Sequence, residues 1–284
     1  MEQAKTGNKA KGAGGGGGGA GGKPLELCDT TNVCARPQCQ ATSCRFKCSR
    51  CELVWYCKAE CQRLDWAFHK AKCKTKEKRA EEKAAGMALV VASGQGRMAL
   101  VRTMLERGAD VNFVNDDDIS ALYAASQFGH LEIVDVLVAA GALVNWAHKE
   151  DGNTALLIAS KNGRHEVVRS LVRAGADVNQ TTTDENATSP LIMAAKNGHV
   201  QCVDILIEAG AHVNYATGND GCTALMIASQ QGHIDVVRSL LAAGADPRLA
   251  IHNGFTALDS AKHNKHIQIV ALLEAKFAEL DRFA

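Results

Sequence analysis

The pentapeptide Gly108-Ala-Asp-Val-Asn112 returns as GALVN at 141–145, GADVN at 175–179, GAHVN at 210–214 and GADPR at 244–248. The spacings are 33, 34, 35 and 34 residues. A second landmark keeps step: SAL at 120–122, TAL at 154–156, SPL at 189–191, TAL at 223–225 and TAL at 256–258. A period of this length restricts the chain to a stacked array, because one unit has an apolar face too large to bury alone. Six units fit, at about 87–115, 116–148, 149–182, 183–217, 218–251 and 252–284.

Each unit reads as two helices and a turn. The Ser or Thr of the landmark caps an inner helix by accepting from its first free N–H groups. The alanines of Ala-Leu-x-x-Ala allow close packing. Gly129, Gly163, Gly198 and Gly232 end that helix in a left-handed conformation. A second helix, such as LEIVDVLVAA at 131–140, presents Val, Ile and Leu to the stack. The pentapeptide glycine ends it, and the following residues turn into a β-hairpin finger. Aromatics are only 5% of the chain against 46% hydrophobic residues, so the core must be aliphatic.

This pattern resembles the ankyrin repeat over roughly two hundred residues. The resemblance implies a mostly α fold, an ankyrin-repeat α-solenoid with β-hairpin fingers. Many ankyrin repeats carry His after the landmark Leu. Here Tyr123, Leu157, Ile192, Met226 and Asp259 stand there, so the usual histidine-centred bonding between units is expected to be absent. His130, His199 and His233 occupy one repeated position and read as structural. Met87-Ala-Leu89 in the first unit and Lys265 in the last, where a helix-ending glycine belongs, suit capping units.

Ahead of the array the chain is rich in cysteine, with nine of its eleven before residue 74. Cys48 and Cys51 form C-x2-C, Cys57 and Cys61 C-x3-C, His69 and Cys73 H-x3-C, and Cys34 and Cys39 C-x4-C. Eight such ligands make two tetrahedral zinc sites. The N-terminus is polar, with no signal-peptide core, and no eighteen-residue apolar run exists. An intracellular, reducing setting is expected, cytoplasm or nucleus, where clustered cysteines bind metal. The sequon at Asn186-Ala-Thr188 is then a chance match. So is Gly17 to Lys23 as a phosphate loop, since Pro24 follows where Ser or Thr is needed.

The run CSRC-x5-YC-x3-CQ-x2-DW-x2-HK-x2-C resembles a MYND zinc finger over about forty residues. The resemblance implies a small cross-braced finger with two structural Zn²⁺. Cys34, Cys39, Cys57 and Cys61 would hold one, and Cys48, Cys51, His69 and Cys73 the other. The first pair departs from the commoner C-x2-C. Cys44 is an alternative to Cys34 or Cys39, but only three residues separate it from Cys48. Cys28 and Cys44 otherwise remain thiols. A fragment this small needs metal to fold. Residues 60–72 read as a short helix. MYND fingers bind short proline-containing peptides, and the matching groove positions are Gln62 and Trp66. A flat aromatic face suits such a preformed ligand. The alternative is that Trp66 and Trp55 pack over the zinc sites.

The expected order is a disordered Gly-rich tail at 1–27, the finger at 28–73, a charged linker helix at 74–86 and the array at 87–284. Residues 23–83 carry a formal charge of +6, falling to about +3 with zinc bound. Residues 84–284 carry −7. Acids recur ahead of the landmark: Asp116, Asp117 and Asp118, then Glu150 and Asp151, Asp184 and Glu185, and Asp220. These are the finger tips. They are either turn formers or a surface for a basic partner laid across the fingers.

The implied function is a non-enzymatic adaptor, with a peptide at the finger and a second protein on the repeats. The alternative is a regulatory or targeting subunit of a protein-modifying complex, such as a methyltransferase or ubiquitin ligase. No nucleophile–base pair or open metal position is visible, and zinc with four protein ligands leaves no place for water. The acidic array and the missing reader helix argue against nucleic acid.

Overall fold

The computed structural model describes residues 46–47, 55–56 and 75–282 apart from 252–253. The chain divides into two compact units, Met1–Lys76 and Glu77–Ala284. In the first, strands β1 (Phe46–Lys47) and β2 (Trp55–Tyr56) pair antiparallel, with Phe46 opposite Tyr56 and Lys47 opposite Trp55.

The second unit is built from helix pairs. They are α1 (Lys76–Gly94) with α2 (Met98–Glu106), α3 (Ala121–Phe128) with α4 (Leu131–Ala139), and α5 (Ala155–Lys161) with α6 (His165–Arg173). Then come α7 (Pro190–Lys196) with α8 (Val200–Glu208), α9 (Ala224–Gln231) with α10 (Ile234–Ala242), and α11 (Ala257–His263) with α12 (Ile267–Arg282). Inner helices α3 to α11 stack on one another in chain order, and the outer helices stack behind them. The largest fully buried side chains are all Leu or Ile, among them Leu89, Leu137, Leu171, Leu206 and Ile269. They form one continuous core along the array.

The landmark hydroxyls cap as the sequence predicts. Ser120, Thr154, Ser189, Thr223 and Thr256 each accept from the backbone N–H three residues on. Thr256 and Asp259 complete a reciprocal capping box. The alanine registers allow close approach, and the same tightness isolates polar atoms. Ser93, Ser126, Ser160 and Ser229 share one helical register, and their buried hydroxyls have no partner. Ala195 fills that register in the fourth unit at 0% exposure, so packing there does not require the hydroxyl.

Lys265 adopts φ 60°, the left-handed conformation that its glycine counterparts hold freely. A Cβ in that region costs roughly 1–2 kcal/mol. Lys265→Gly is therefore expected to raise the stability of the last unit by about 0.5–1 kcal/mol, after allowing for glycine's greater unfolded-state freedom. Chemical denaturation of the two chains checks this, with an upward shift in midpoint as the expected result.

The first inner helix is long. α1 runs unbroken from Lys76 through residue 86 to Gly94, so the charged segment and the first unit share one helix. Gly86 lies against the Phe113 ring so closely that an added Cβ would sit 2.2 Å from it.

Two ladders join the units. Asn112, Asn145, Asn179 and Asn214 each donate from Nδ2 to the glycine carbonyl of the next unit, at 3.2–3.4 Å. Each accepts at Oδ1 from the backbone N–H two residues beyond that glycine, at 2.8–2.9 Å. The fifth pentapeptide has Arg248 instead, which donates to Asp281 of α12 at 2.7 Å and closes the series.

The second ladder is made by histidines, among them His130, His199 and His233, which the sequence marks as structural. The landmark histidine is missing, but other histidines serve. Nε2 of His130, His199, His233 and His266 pairs with the carbonyls of Gly94, Lys161, Lys196 and Gln230, at 3.0–3.2 Å. These carbonyls lie in the last turn of the preceding inner helix, where helical partners run out. Arg164 takes the same place in the third unit, donating from Nε to the Gln127 carbonyl at 3.3 Å.

Candidate interaction surface

The fingers are minimal hairpins, each closed by one isolated bridge: Val114 with Ser120, Ala147 with Thr154, Ala216 with Thr223 and Ala250 with Thr256. In the fourth unit the Thr182 N–H donates to the Thr188 carbonyl at 3.0 Å. So short a ladder needs help from side chains, and the tip acids supply part of it. Asp118 stands at φ 56° and accepts from the Lys149 N–H of the next finger at 2.6 Å. The Asp151 carbonyl accepts from Thr183 N–H, and the Asn186 carbonyl from Gly218 N–H, both at 2.9 Å. Consecutive tips are thus bonded in a row, and the row sets the acids along one edge.

The predicted acids divide by role. Asp118, Asp151 and Asp184 build the fingers. Asp184 accepts from the Thr182 hydroxyl and from Asn186 Nδ2, and the Thr182 hydroxyl bond chiefly holds its carboxyl below the usual range. Asp116 pairs with Lys83 Nζ at 2.8 Å, both side chains being exposed. Asp117, Glu150, Glu185 and Asp220 are exposed.

His148 was not singled out from the sequence, yet it ties the first two fingers. Its Nε2 meets the Asp117 carbonyl at 3.1 Å and its Nδ1 meets Asp151 Oδ1 at 2.9 Å. Its ring lies 6.4 Å from Tyr123 and 6.5 Å, edge-on, from Trp146. Burial works to lower the His148 pKa, but the Asp117 carbonyl and the Asp151 carboxylate outweigh it and the net shift is upward. For Asp151, burial works upward, while bonds from Asn153 and His148 outweigh it and hold the carboxyl down. Burial and the Asp151 charge also raise the Tyr123 phenol.

The signs of these shifts define a pH window. A raised histidine stabilises fully below its unfolded pKa of about 6.5, and that contribution is lost as pH rises through the folded value. A lowered aspartate stabilises above about 3.9, and that is lost as pH falls through its folded value. The pair is strongest between the two. The melting-temperature loss in His148→Gln is expected to be larger near pH 5.5 than near pH 8.5. Equal losses at both, by calorimetry, would contradict the ion pair.

The predicted zinc ligands Cys34, Cys39, Cys48, Cys51, Cys57, Cys61, His69 and Cys73 lie outside the described residues, as do Gln62, Trp66, Cys28, Cys44, the helix at 60–72 and the glycine-rich tail. In the sequence, β1 immediately precedes Cys48 and β2 immediately precedes Cys57. A donor set of seven thiolates and one imidazole suits zinc. Among the described residues no His/Cys/Asp/Glu cluster could hold a metal, and no helix is long and apolar enough to cross a membrane. Cys202 is buried, which pushes its thiol pKa up to about 11.

A solenoid of helix pairs with an edge of polar fingers defines a protein-interaction scaffold. Comparison with known proteins gives its family. A model of ankyrin repeats in three copies matches residues 89–182 and 180–251, and one of the MYND finger matches residues 32–73. The chain belongs to the ankyrin-repeat family and carries a MYND finger ahead of its repeats.

The human ASB11 ankyrin repeat domain, a crystal structure, is 28% identical with TM-score 0.60, covering 66% of this chain and 82% of that one. "Ankyrin repeat and KH domain-containing protein mask-1" of Caenorhabditis elegans is 38% identical over 69 residues, 24% of this chain and 3% of that protein. "Histone-lysine N-methyltransferase ASHR1" of Arabidopsis thaliana is 33% identical over 60 residues, 20% of this chain and 12% of that protein. "Putative ankyrin repeat protein FPV031" of Fowlpox virus is 34% identical over 70 residues, 24% of this chain. The chain spans 20% or less of the length of these three curated relatives. Both modules are interaction modules, other proteins are the partners, and the MYND finger implies zinc binding.

Proposed function

We propose that the chain is a non-enzymatic adaptor within the cell, in the cytoplasm or nucleus, joining two proteins. The finger, on two structural zinc ions, takes a short proline-containing peptide against Gln62 and Trp66. The ankyrin fingers take a second, basic protein along their acidic edge. The observation that carries this reading is the bonded row of tips, which leaves Asp117, Glu150, Glu185 and Asp220 exposed along one edge. A net charge of −7 over residues 84–284 adds long-range attraction for a basic partner. Zinc held by four protein ligands supplies folding energy and leaves no position for a reacting water.

A second reading rests on the match to a protein named as a histone-lysine N-methyltransferase. In it the chain is a regulatory or targeting subunit of a protein-modifying complex and still works by binding. Thermal-shift measurements separate an adaptor from an enzyme. Proline-containing peptides are expected to raise the finger's melting temperature, and a methyl donor such as S-adenosylmethionine to leave the chain unchanged. A shift with the methyl donor alone would overturn the adaptor reading.

A further inference from the structure

Two large apolar side chains stand exposed on the inner-helix face of the first two units. Val91 of α1 is 50% exposed and Phe128 of α3 is 53% exposed. Both are more exposed or more apolar than their counterparts. In the register of Val91, Ala124 and Ile158 are 6% exposed and Met193, Ile227 and Ser260 are half-buried. The register of Phe128 holds Gln95, Asn162, Asn197, Gln231 and Asn264 in the other units. Three of these close their own helix, with Nδ2 donating to the carbonyls of Ile158, Met193 and Ser260 at 3.0, 2.8 and 2.9 Å. Phe128 cannot make that bond.

Phe128 is nonetheless held in place. Its ring edge lies 3.6–3.7 Å from where a Cβ on Gly94 would stand, and Val91 is one turn before Gly94 on the same side of α1. On the other side its ring is 6.3 Å from that of His130, which is bonded to the Gly94 carbonyl. Val91 and Phe128 therefore form one apolar step across the first two inner helices. Exposed apolar surface of this kind marks contact sites.

The acids of the same two units lie at the opposite end of the inner helices. Asp116, Asp117 and Asp118 end two residues before Ser120, the cap of α3, and Glu150 belongs to the finger bonded to theirs. Eight residues separate Ser120 from Phe128, about 12 Å along the helix. The tips lie beyond Ser120, so a segment reaching from them to Phe128 spans at least about four extended residues. Lys83 on Asp116 shows the tip already accepting an ammonium group.

We propose that the first two units form an amphipathic docking site for an extended partner segment. Lys or Arg of that segment lies on the acidic tips, and an apolar side chain at least about four residues away covers Val91 and Phe128. The charge of the tips selects this occupant over a purely apolar one. The proposal rests on the acidic-edge reading above and adds the apolar anchor and the spacing.

The test is selection of a random twelve-residue peptide library on the intact chain, beside Phe128→Asn and the double variant Asp117→Asn/Glu150→Gln. Asn fills the Phe128 register in three other units, so that variant is compatible with the fold. Peptides held by the finger appear in every pool and cancel. The wild-type pool is expected to enrich Lys or Arg at a fixed spacing of about four residues or more from Phe, Leu or Trp. Phe128→Asn is expected to lose the apolar preference, weaken selected peptides about tenfold, and keep the basic one. The double variant is expected to lose both. An unchanged pool on Phe128→Asn overturns the proposal and leaves the acidic edge standing. A wild-type pool without basic enrichment overturns both readings. Loss of self-association in Phe128→Asn with an unchanged pool assigns the step to a second copy and overturns the proposal.

Discussion

Removing zinc from the intact chain is expected to unfold the finger while the melting transition of the array stays in place. The finger has about forty residues to fold with, too few to bury a sufficient core. Structural zinc contributes roughly 10–16 kcal/mol to fingers of this kind, comparable with the whole stability of an ordinary small domain. The array has its own continuous aliphatic core and is a compact unit separate from the finger. Chelation followed by circular dichroism and calorimetry checks this. One low-temperature transition should vanish, and zinc alone should restore it. A finger that stays folded with no metal bound would refute the structural-zinc reading.

The second large effect is expected from one methyl group. Gly163→Ala should destabilise the array by about 3 kcal/mol, and Gly175→Ala by about 1–2 kcal/mol. Both glycines hold the left-handed conformation, at φ 67° and 86°, so both variants carry the same backbone penalty. Their surroundings differ. An added Cβ at Gly163 falls 2.6 Å from the His199 ring, whereas at Gly175 nothing lies within 4 Å. Moving His199 also breaks its bond to the Lys161 carbonyl, leaving that helix end unpaired. The difference between the variants measures the histidine ladder apart from backbone strain. Equal losses in urea denaturation would show that the ladder contributes nothing.

These contrasts show where sequence was sufficient. Period, caps and glycines are local requirements, written in residue types that suit few other purposes. Ser120 and Thr154 cap helices, and Gly129 turns left-handed, because no distant residue has to agree. The histidine ladder was legible as a repeated structural position but not as a set of bonds, for the converse reason. His130 and Gly94 are 36 residues apart, and their bond exists only once units stack. The landmark position drew attention to a histidine that was absent, while the working ones sat at the start of the outer helices. His148 was hidden similarly, since its two partners lie on different fingers. Phe128 carried a signal in the sequence. It is the one aromatic in a register of Asn and Gln, visible only when units are aligned on the cap and compared position by position.

The acidic edge was legible as a row of finger tips, but the bonds that tie the tips together were not. Asp118 and Asp151 bond the fingers together and also carry charge. Substituting all the acids would confuse the two effects. Asp117 and Glu150 are exposed at the tips, and no tip-to-tip bond uses their side chains, which makes them the cleaner probes.

The central claim is that one chain joins two proteins through two separate surfaces. Affinity capture with the intact chain, beside Trp66→Ala and Asp117→Asn/Glu150→Gln, tests it most directly. The account predicts that each variant loses a different set of partners, and that the charge variant's set is also released by moderate salt. Loss of the same partners by both variants, or of none by either, would contradict it.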